Sequence, residues 1–110
     1  MMKDILFLLR PGFTDPAYPG DVFYCWHCAL MEGILASFPD LAQKLDVRRI
    51  AWPRPRAEVV ELTGPENQSL PVLVLTSEPV GPSGAPQFIN DKDEILKALS
   101  ARYGFPLPHP

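Results

Sequence analysis

Residues 25–45 read CWHCALMEGILASFPDLAQKL, and this stretch decides the fold more than any other part of the chain. Two cysteines stand directly before a run in which apolar side chains recur at intervals of three and four residues, as on one face of a helix. The run comprises Leu30, Met31, Ile34, Leu35, Phe38, Leu41 and Leu45. Pro39 interrupts this run. We therefore expect a first helix to end near Ser37 or a second one to start at Asp40.

Short apolar segments on both sides of this helical stretch predict a mixed sheet. Residues 4–9 and 71–76 are apolar runs of the kind that form strands buried on both faces. Residues 47–52 predict a second strand, and residues 87–89 predict a short partner for segment 71–76. Helices between strands imply crossover connections and hence a parallel first pair. The short connection between the last two strands implies an antiparallel hairpin.

Two more helices are predicted from their end signals. Residues 57–62 fit a short helix with Gly64 just beyond its end, although two adjacent valines also suit a strand. Asp91 is placed to cap a closing helix, and Gly104 is placed to end it. The predicted fold class is therefore α/β, with a four-stranded mixed sheet and about three helices. The length predicts a single domain over residues 1–110.

Composition limits the classes of partner that we expect. A net charge of −3 provides no basic surface for nucleic acid. The first apolar run, residues 5–9, is too short to span a bilayer and lacks the cleavage site of a signal peptide. A close pair of cysteines also differs from the spread cysteines of a secreted disulfide scaffold. We expect a cytoplasmic protein that binds neither nucleic acid nor a membrane.

Cys25 and Cys28 are the candidate catalytic residues. A CxxC at the start of a helix places its first thiol at the N-terminus of the helix, where partial positive charge favours the thiolate. The second thiol then lies inside the helix, one turn further along. Cys25 is then the attacking thiolate and Cys28 the resolving thiol. A protonated His27 would favour the Cys25 thiolate further. An inert pair is an alternative, and a metal site would need a tail histidine or a second subunit, so we predict no metal.

Trp26, Arg54 and Arg56 are candidate substrate-binding residues. Trp26 lies within the CxxC and could stack on a ligand. Prolines restrict the backbone around Arg54 and Arg56, and their guanidinium groups could hold a carboxylate or a phosphate. Ion pairs on the surface are the alternative use of both arginines.

The CxxC after the opening strand, Leu70-Pro71 before an apolar strand and the closing amphipathic helix together resemble the thioredoxin-like superfamily. In that superfamily the proline that opens the third strand is cis and lies beside the CxxC. The residue before it pairs its backbone with a substrate peptide or thiol. The resemblance therefore implies a thioredoxin-like fold, a cis Pro71 and a substrate-binding role for Leu70.

Four longer stretches narrow this resemblance to a small uncharacterised thioredoxin-like family, a domain of unknown function. These stretches are residues 23–25, 53–56, 66–71 and 104–110. The resemblance extends over nearly the whole chain. It implies the fold but no established reaction.

Residues 70–73 followed by 89–92 are also similar to the N-terminal domain of glutathione transferases. Those domains hold glutathione with the proline strand and with an acidic residue and a serine at the last helix. Asp91 takes the place of the acidic residue, whereas Lys92 stands where the serine would be. The similarity implies glutathione as a possible ligand, and we expect no other cofactor.

The sequence thus predicts a thiol–disulfide oxidoreductase-like protein that acts on a thiol or disulfide of a protein substrate, or on glutathione. Two alternatives stay open. One is a non-catalytic binding module on the same fold, because the chain offers no recognised catalytic partner beyond the cysteines. The other is a glutathione-binding module without the helical transferase domain.

Overall fold

A computed structural model describes residues 2–110, so that Met1 of the predicted domain lies outside the described residues. The described chain forms four helices and four strands. In chain order these are β1 (Asp4–Leu9), α1 (Trp26–Ser37), α2 (Pro39–Ala42), β2 (Leu45–Ile50), α3 (Ala57–Thr63), β3 (Val72–Val74), β4 (Phe88–Ile89) and α4 (Lys92–Tyr103). Among residues 2–110, no helix combines the length and the apolar character needed to cross a membrane.

The four strands form one mixed sheet in the order β2-β1-β3-β4. β1 and β2 are parallel, with Asp4 opposite Leu45 and Leu9 opposite Ile50. β3 is antiparallel both to β1 and to β4. The predicted α/β class, the parallel first pair and the antiparallel hairpin are therefore confirmed.

Every residue of β1 is buried because helices pack against both faces of the sheet. Leu6 and Leu8 belong to one core, whereas Ile5 and Phe7 belong to the other, as the alternation of a strand requires. α1 and α4 supply the helical part of the first core, namely Met31, Leu35, Ile95, Leu96, Leu99 and Tyr103. α3 contributes Val59 to the second core. The result is a sheet between two helical layers.

The boundary between α1 and β2 differs from the expectation. Pro39 both ends α1 and begins the separate short helix α2, which gives four helices instead of about three. Leu45 was expected on the helical face, and this was wrong because Leu45 is the first residue of β2 and is 4% exposed. β2 therefore begins two residues before the predicted segment 47–52 and ends before Trp52, which is half-buried.

The later elements follow the sequence more closely. α3 and α4 have the predicted starts, and Asp91 caps α4 by accepting a hydrogen bond from the Glu94 amide at 3.0 Å. Gly104 ends α4 with φ 89°, a left-handed conformation that glycine adopts at little cost. β3 is shorter than the predicted segment 71–76. The Leu70–Pro71 peptide is cis, as the resemblance implies, and the Arg54–Pro55 peptide is cis as well.

A buried polar network joins the start of β1 to the end of α4. The Asp4 carboxylate is 2% exposed and accepts hydrogen bonds from the Ser77 amide (2.8 Å), the Ser77 hydroxyl (2.5 Å) and the Tyr103 hydroxyl. Arg102 Nε lies 3.6 Å from the same carboxylate. Burial acts to raise the pKa of Asp4, but these hydrogen bonds and the Arg102 charge outweigh it, so the pKa is lowered.

Asp4 therefore stabilises the folded state in its ionised form. Its pKa is lower in the folded than in the unfolded chain, where it is about 3.9. The stabilisation is complete above the unfolded-state value and is lost as the pH falls through the lower folded-state value.

We expect Asp4→Asn to lower the free energy of unfolding by about 3 kcal/mol at pH 7, because an amide cannot replace the charge between these donors. Tyr103→Phe should cost about 2 kcal/mol, the usual contribution of a hydrogen bond to a charged group. The difference between wild type and Asp4→Asn should shrink below about pH 4. Urea unfolding at pH 7 and at pH 3 measures these changes.

Glu78→Gln is the matched control, because Glu78 pairs with Arg102 at the exposed end of the same network. It should change the free energy of unfolding by less than about 0.5 kcal/mol. The interpretation of Asp4 is wrong if Asp4→Asn is no more destabilising at pH 7 than this control.

Candidate active site

Cys25 occupies the N-cap position of α1. Its backbone is extended (φ −80°, ψ 119°), and its sulfur accepts a hydrogen bond from the Cys28 amide at 3.2 Å. Serine, threonine, aspartate and asparagine are the usual caps because their side-chain oxygens accept from this position. A sulfur at the same position lies at the N-terminal end of the helix, which carries partial positive charge.

Cys28 lies one turn inside α1 and is 2% exposed. Its sulfur accepts a hydrogen bond from the Leu9 amide at the end of β1, at 3.4 Å. Burial raises the pKa of the Cys28 thiol to about 12, helped by the hydrogen bond with the Cys25 side chain, whereas the Leu9 amide acts in the opposite direction. Both cysteines are free, and Cys25 is half-buried. At neutral pH, Cys28 is thus a protonated thiol behind a more accessible Cys25.

An aromatic cluster anchors the proline-rich loop that leads to Cys25. Phe13 and Phe23 pair as an isolated antiparallel bridge, so the two ends of the loop lie side by side. The Phe13 ring stacks on the Trp52 ring, with 5.7 Å between centroids and 9° between planes. This cluster ties the loop before the CxxC to the segment after β2.

A cleft of about 530 Å³ opens beside the two sulfurs. It is lined by Leu9, Pro11, Tyr24, Cys25, Cys28, Ala29 and Glu32. The Glu32 carboxylate is held by Arg49 through two hydrogen bonds of 2.7 and 2.9 Å, so the one acidic group in the lining already has a counter-ion. The remaining lining is mainly apolar, and the cleft therefore suits an uncharged group beside the sulfur of a ligand.

Trp26 and His27, the two residues between the cysteines, pack against each other. Their ring centroids are 4.1 Å apart, and Trp26 is 70% exposed. Lys92 Nζ lies 5.8 Å from the centroid of the Trp26 ring, which brings the start of α4 next to the start of α1. His27 forms no hydrogen bond with either sulfur among residues 2–110.

The structure separates the two candidate arginines. Arg54 is exposed, whereas Arg56 is 6% exposed and its guanidinium donates to the backbone carbonyls of Trp52 and Gln68. A surface ion pair, the alternative use considered for both residues, therefore does not describe Arg56. Burial and the charge of Arg54 lower the pKa of Arg56, whereas Cys28 and Cys25 act to raise it.

The structure places Leu70, Pro71 and Asp91 outside the lining of the cleft beside the sulfurs. Pro71 is buried, and Leu70 is half-buried and packs against the same core as Cys25. Neither of these two residues lines the cleft beside the sulfurs. The exposed Asp91 carboxylate is engaged as the cap of α4.

Three contributors to the site were missed in the sequence. The Gln68 and Trp52 carbonyls that hold Arg56 belong to irregular segments, for which no periodic signal exists. Glu32 is a polar residue within the apolar helical pattern that follows the CxxC. Such a residue indicates where the apolar face of the helix ends, and this could have predicted an acidic side chain near the sulfurs. Within the described residues, no three histidine, cysteine or acidic side chains lie close enough together to hold a metal ion.

Comparison with protein families matches residues 3–107 of the chain to the family described as Protein of unknown function (DUF3088). No curated protein and no solved structure matches the chain significantly.

We expect iodoacetamide at pH 7 to alkylate Cys25 at least about 100-fold faster than Cys28 in the reduced native protein, because Cys28 is buried and its pKa is raised. Peptide mass spectrometry of quenched samples gives both rates. In 6 M guanidinium chloride (a concentration of about that size unfolds most domains) the two rates should agree within about threefold. Equal rates in the native protein would contradict the buried position of Cys28.

Proposed function

Since the chain belongs to the family Protein of unknown function (DUF3088), we propose a function from the site itself: thiol–disulfide exchange through Cys25 and Cys28. The observation that carries this proposal is the Cys25 sulfur at the N-cap of α1, where it accepts the Cys28 amide hydrogen bond. The thiolate is the nucleophile in disulfide exchange, and the N-terminal end of a helix carries partial positive charge beside this sulfur.

The two cysteines have different roles in the proposed reaction. The Cys25 thiolate attacks one sulfur of a substrate disulfide and forms a mixed disulfide, while the other substrate sulfur leaves as a thiolate and takes a proton. Cys28 then loses its proton and attacks the Cys25 sulfur, which releases the second substrate thiol. The substrate gains two electrons and two protons, and the Cys25–Cys28 pair becomes a disulfide that an external dithiol must reduce again.

The thioredoxin-like resemblance fits this proposal, and we adopt it as part of the proposed function. The parallel β1–β2 pair, the β3–β4 hairpin and the CxxC at the start of α1 support it. The resemblance assigns the backbone of Leu70 to the substrate. Free cysteines suit a reducing compartment, and we propose the cytoplasm.

We propose a protein or peptide disulfide with an apolar side chain next to its cysteine as the substrate. The cleft beside the sulfurs is mainly apolar, and Glu32 in its lining is already paired. Tyr24 and Trp26, on either side of Cys25, are 66% and 70% exposed. Exposed aromatic side chains beside a cleft provide contact area for a peptide at low entropic cost.

The same exposed side chains favour a second candidate, a non-catalytic binding module. Tyr18 and Val22 are 61% and 70% exposed, and with Tyr24 they give the loop before α1 exposed apolar side chains that continue to Trp26, the first residue of α1. Such a surface indicates an interaction site whether or not the cysteines react. Glutathione is also a proposed ligand, because Asp91 takes the place of the acidic residue that holds glutathione in the similar transferase domains. The same experiment tests it.

We expect Cys28→Ser to accumulate a mixed disulfide at Cys25 with a disulfide-bonded peptide that carries leucine next to its cysteine. The serine cannot resolve the intermediate, so the adduct persists. Cys25→Ser, the matched variant with the other thiol, should trap at least about 20-fold less, because Cys28 is buried and protonated. Intact-protein mass spectrometry measures the adduct.

The choice of probe separates the candidates. A peptide with aspartate in place of leucine tests the apolar cleft, and glutathione disulfide tests the glutathione proposal. Thiol exchange is refuted if mild oxidation of the wild type gives no Cys25–Cys28 disulfide and if the two serine variants trap equally little. Peptide binding that persists in such a protein would establish the binding module.

A further inference from the structure

β2 is an edge strand whose outer side is not covered by any strand of residues 2–110. It lies at one end of the sheet order β2-β1-β3-β4, and all six of its residues pair with β1 on the inner side. At the opposite end of the sheet, β4 has only two residues. A long edge strand presents a row of unpaired backbone donors and acceptors, which is a template for pairing with another chain. β2 is therefore the edge of this sheet best suited to accept a further strand.

The backbone groups on the outer side of β2 are those of Leu45, Val47 and Arg49. The Ile50 carbonyl accepts a hydrogen bond from the Arg10 amide, so Ile50 and every second residue before it point towards β1. The residues between them point outward. The Arg49 carbonyl, near the end of the strand, accepts a long hydrogen bond of 3.4 Å from the Arg10 guanidinium. The Val47 amide and carbonyl, at the centre of the strand, face away from the sheet.

Two grooves leave this edge open. A groove of about 480 Å³ is lined by Leu45 and Val47 together with Asp46 and Arg48. A second groove, of about 400 Å³, is lined by Leu45 and Val47 together with residues of α1 and α2. A strand added to the edge of β2 would therefore have room for its side chains.

The charges of β2 favour a second copy of the same strand as the partner. Asp46 and Arg48 flank Val47, and their side chains lie on one face of the sheet. When two copies of β2 pair antiparallel with Val47 opposite Val47, Asp46 of each copy lies opposite Arg48 of the other. Opposite charges at directly opposed positions stabilise a pair of strands, whereas like charges destabilise it.

The same charges disfavour the other antiparallel registers. Centring the pair on Asp46, Arg48 or Arg49 places a like charge opposite itself. Centring it on Leu45 or Ile50, the two end residues, leaves much of the strand unpaired. Charged residues on an edge strand usually prevent pairing, but the order of these charges around Val47 is self-complementary.

We propose that the outer edge of β2 binds β2 of a second copy of this chain, antiparallel and centred on Val47, so that the two sheets become one. The inference goes beyond the proposed thiol chemistry and does not depend on it. Val47 exchanges its amide and carbonyl hydrogen bonds with its own copy, and Leu45 does so with the partner's Arg49. The two-fold symmetry repeats each contact. Within one chain, Asp46 and Arg48 form an ion pair of 2.8 Å and are each 41% exposed, so both can meet the charge of the second copy.

The test is analytical ultracentrifugation of the reduced protein. The wild type should show a monomer–dimer equilibrium with a dissociation constant in about the micromolar range. Asp46→Arg and Arg48→Asp each place like charges opposite one another and should weaken the dimer at least about tenfold. An equimolar mixture of these two variants should dimerise again within about threefold of the wild type, because every charge then faces an opposite one.

Glu58→Gln is the matched control, because Glu58 pairs with Arg48 from α3 and does not lie on the edge strand. It should change the dissociation constant by less than about threefold. Recovery in the mixture requires contact between two chains, so a folding defect in one variant cannot produce it. The inference is overturned if the wild type stays monomeric up to about 1 mM. It is also overturned if neither variant weakens the dimer or if the mixture does not restore it.

If either variant does not fold, hydrogen exchange of the wild type gives a second measurement. The Val47 and Arg49 amides should exchange at least about tenfold more slowly in a concentrated than in a dilute sample, because pairing between copies protects them. The Asp46 and Arg48 amides face β1 and should be protected equally in both samples. A dimer that leaves the Val47 amide unprotected would overturn the inference.

Discussion

The complete burial of β1 is the constraint on which the rest of the structure depends. No residue from Asp4 to Leu9 is exposed, so its backbone groups need partners inside the protein. β2 and β3 provide most of them along the two edges of the strand. At the end of the strand, the Leu9 amide donates to the Cys28 sulfur instead. The strand that organises the core thus also fixes the position of the inner cysteine.

This arrangement gives the two cysteines opposite properties. Burial against β1 removes Cys28 from water and raises its pKa, whereas Cys25, at the helix N-cap, is only half-buried and lines the cleft. In the proposed exchange, such a pair would separate attack by the accessible sulfur from resolution by the buried one. The buried Cys28 thiol would then have to ionise during resolution, against the effect of its burial.

The regular elements could be predicted from the sequence because each has its own local signal. β1 is a continuous apolar run, and Asp91 and Gly104 mark the ends of α4. Leu45 was misplaced because a helical spacing of four continues by chance into the first residue of β2, where pairing with β1 decides the structure. Tertiary pairing of this kind overrides a local period, and no single-sequence pattern reports it.

The site was predictable only in the part that lies on a regular element. Cys25 and Cys28 follow from the start of α1, whereas the environment of Arg56 depends on carbonyls at Trp52 and Gln68 in segments without periodicity. Arg56, which follows Pro55, was nevertheless recognisable as unusual, because a restricted backbone before a long cation indicates a defined position. What the sequence could not show is how the guanidinium is held, because its acceptors are two backbone carbonyls and, within residues 2–110, it pairs with no carboxylate. Backbone carbonyls are offered by every residue, so only the folded chain decides which of them a buried arginine contacts.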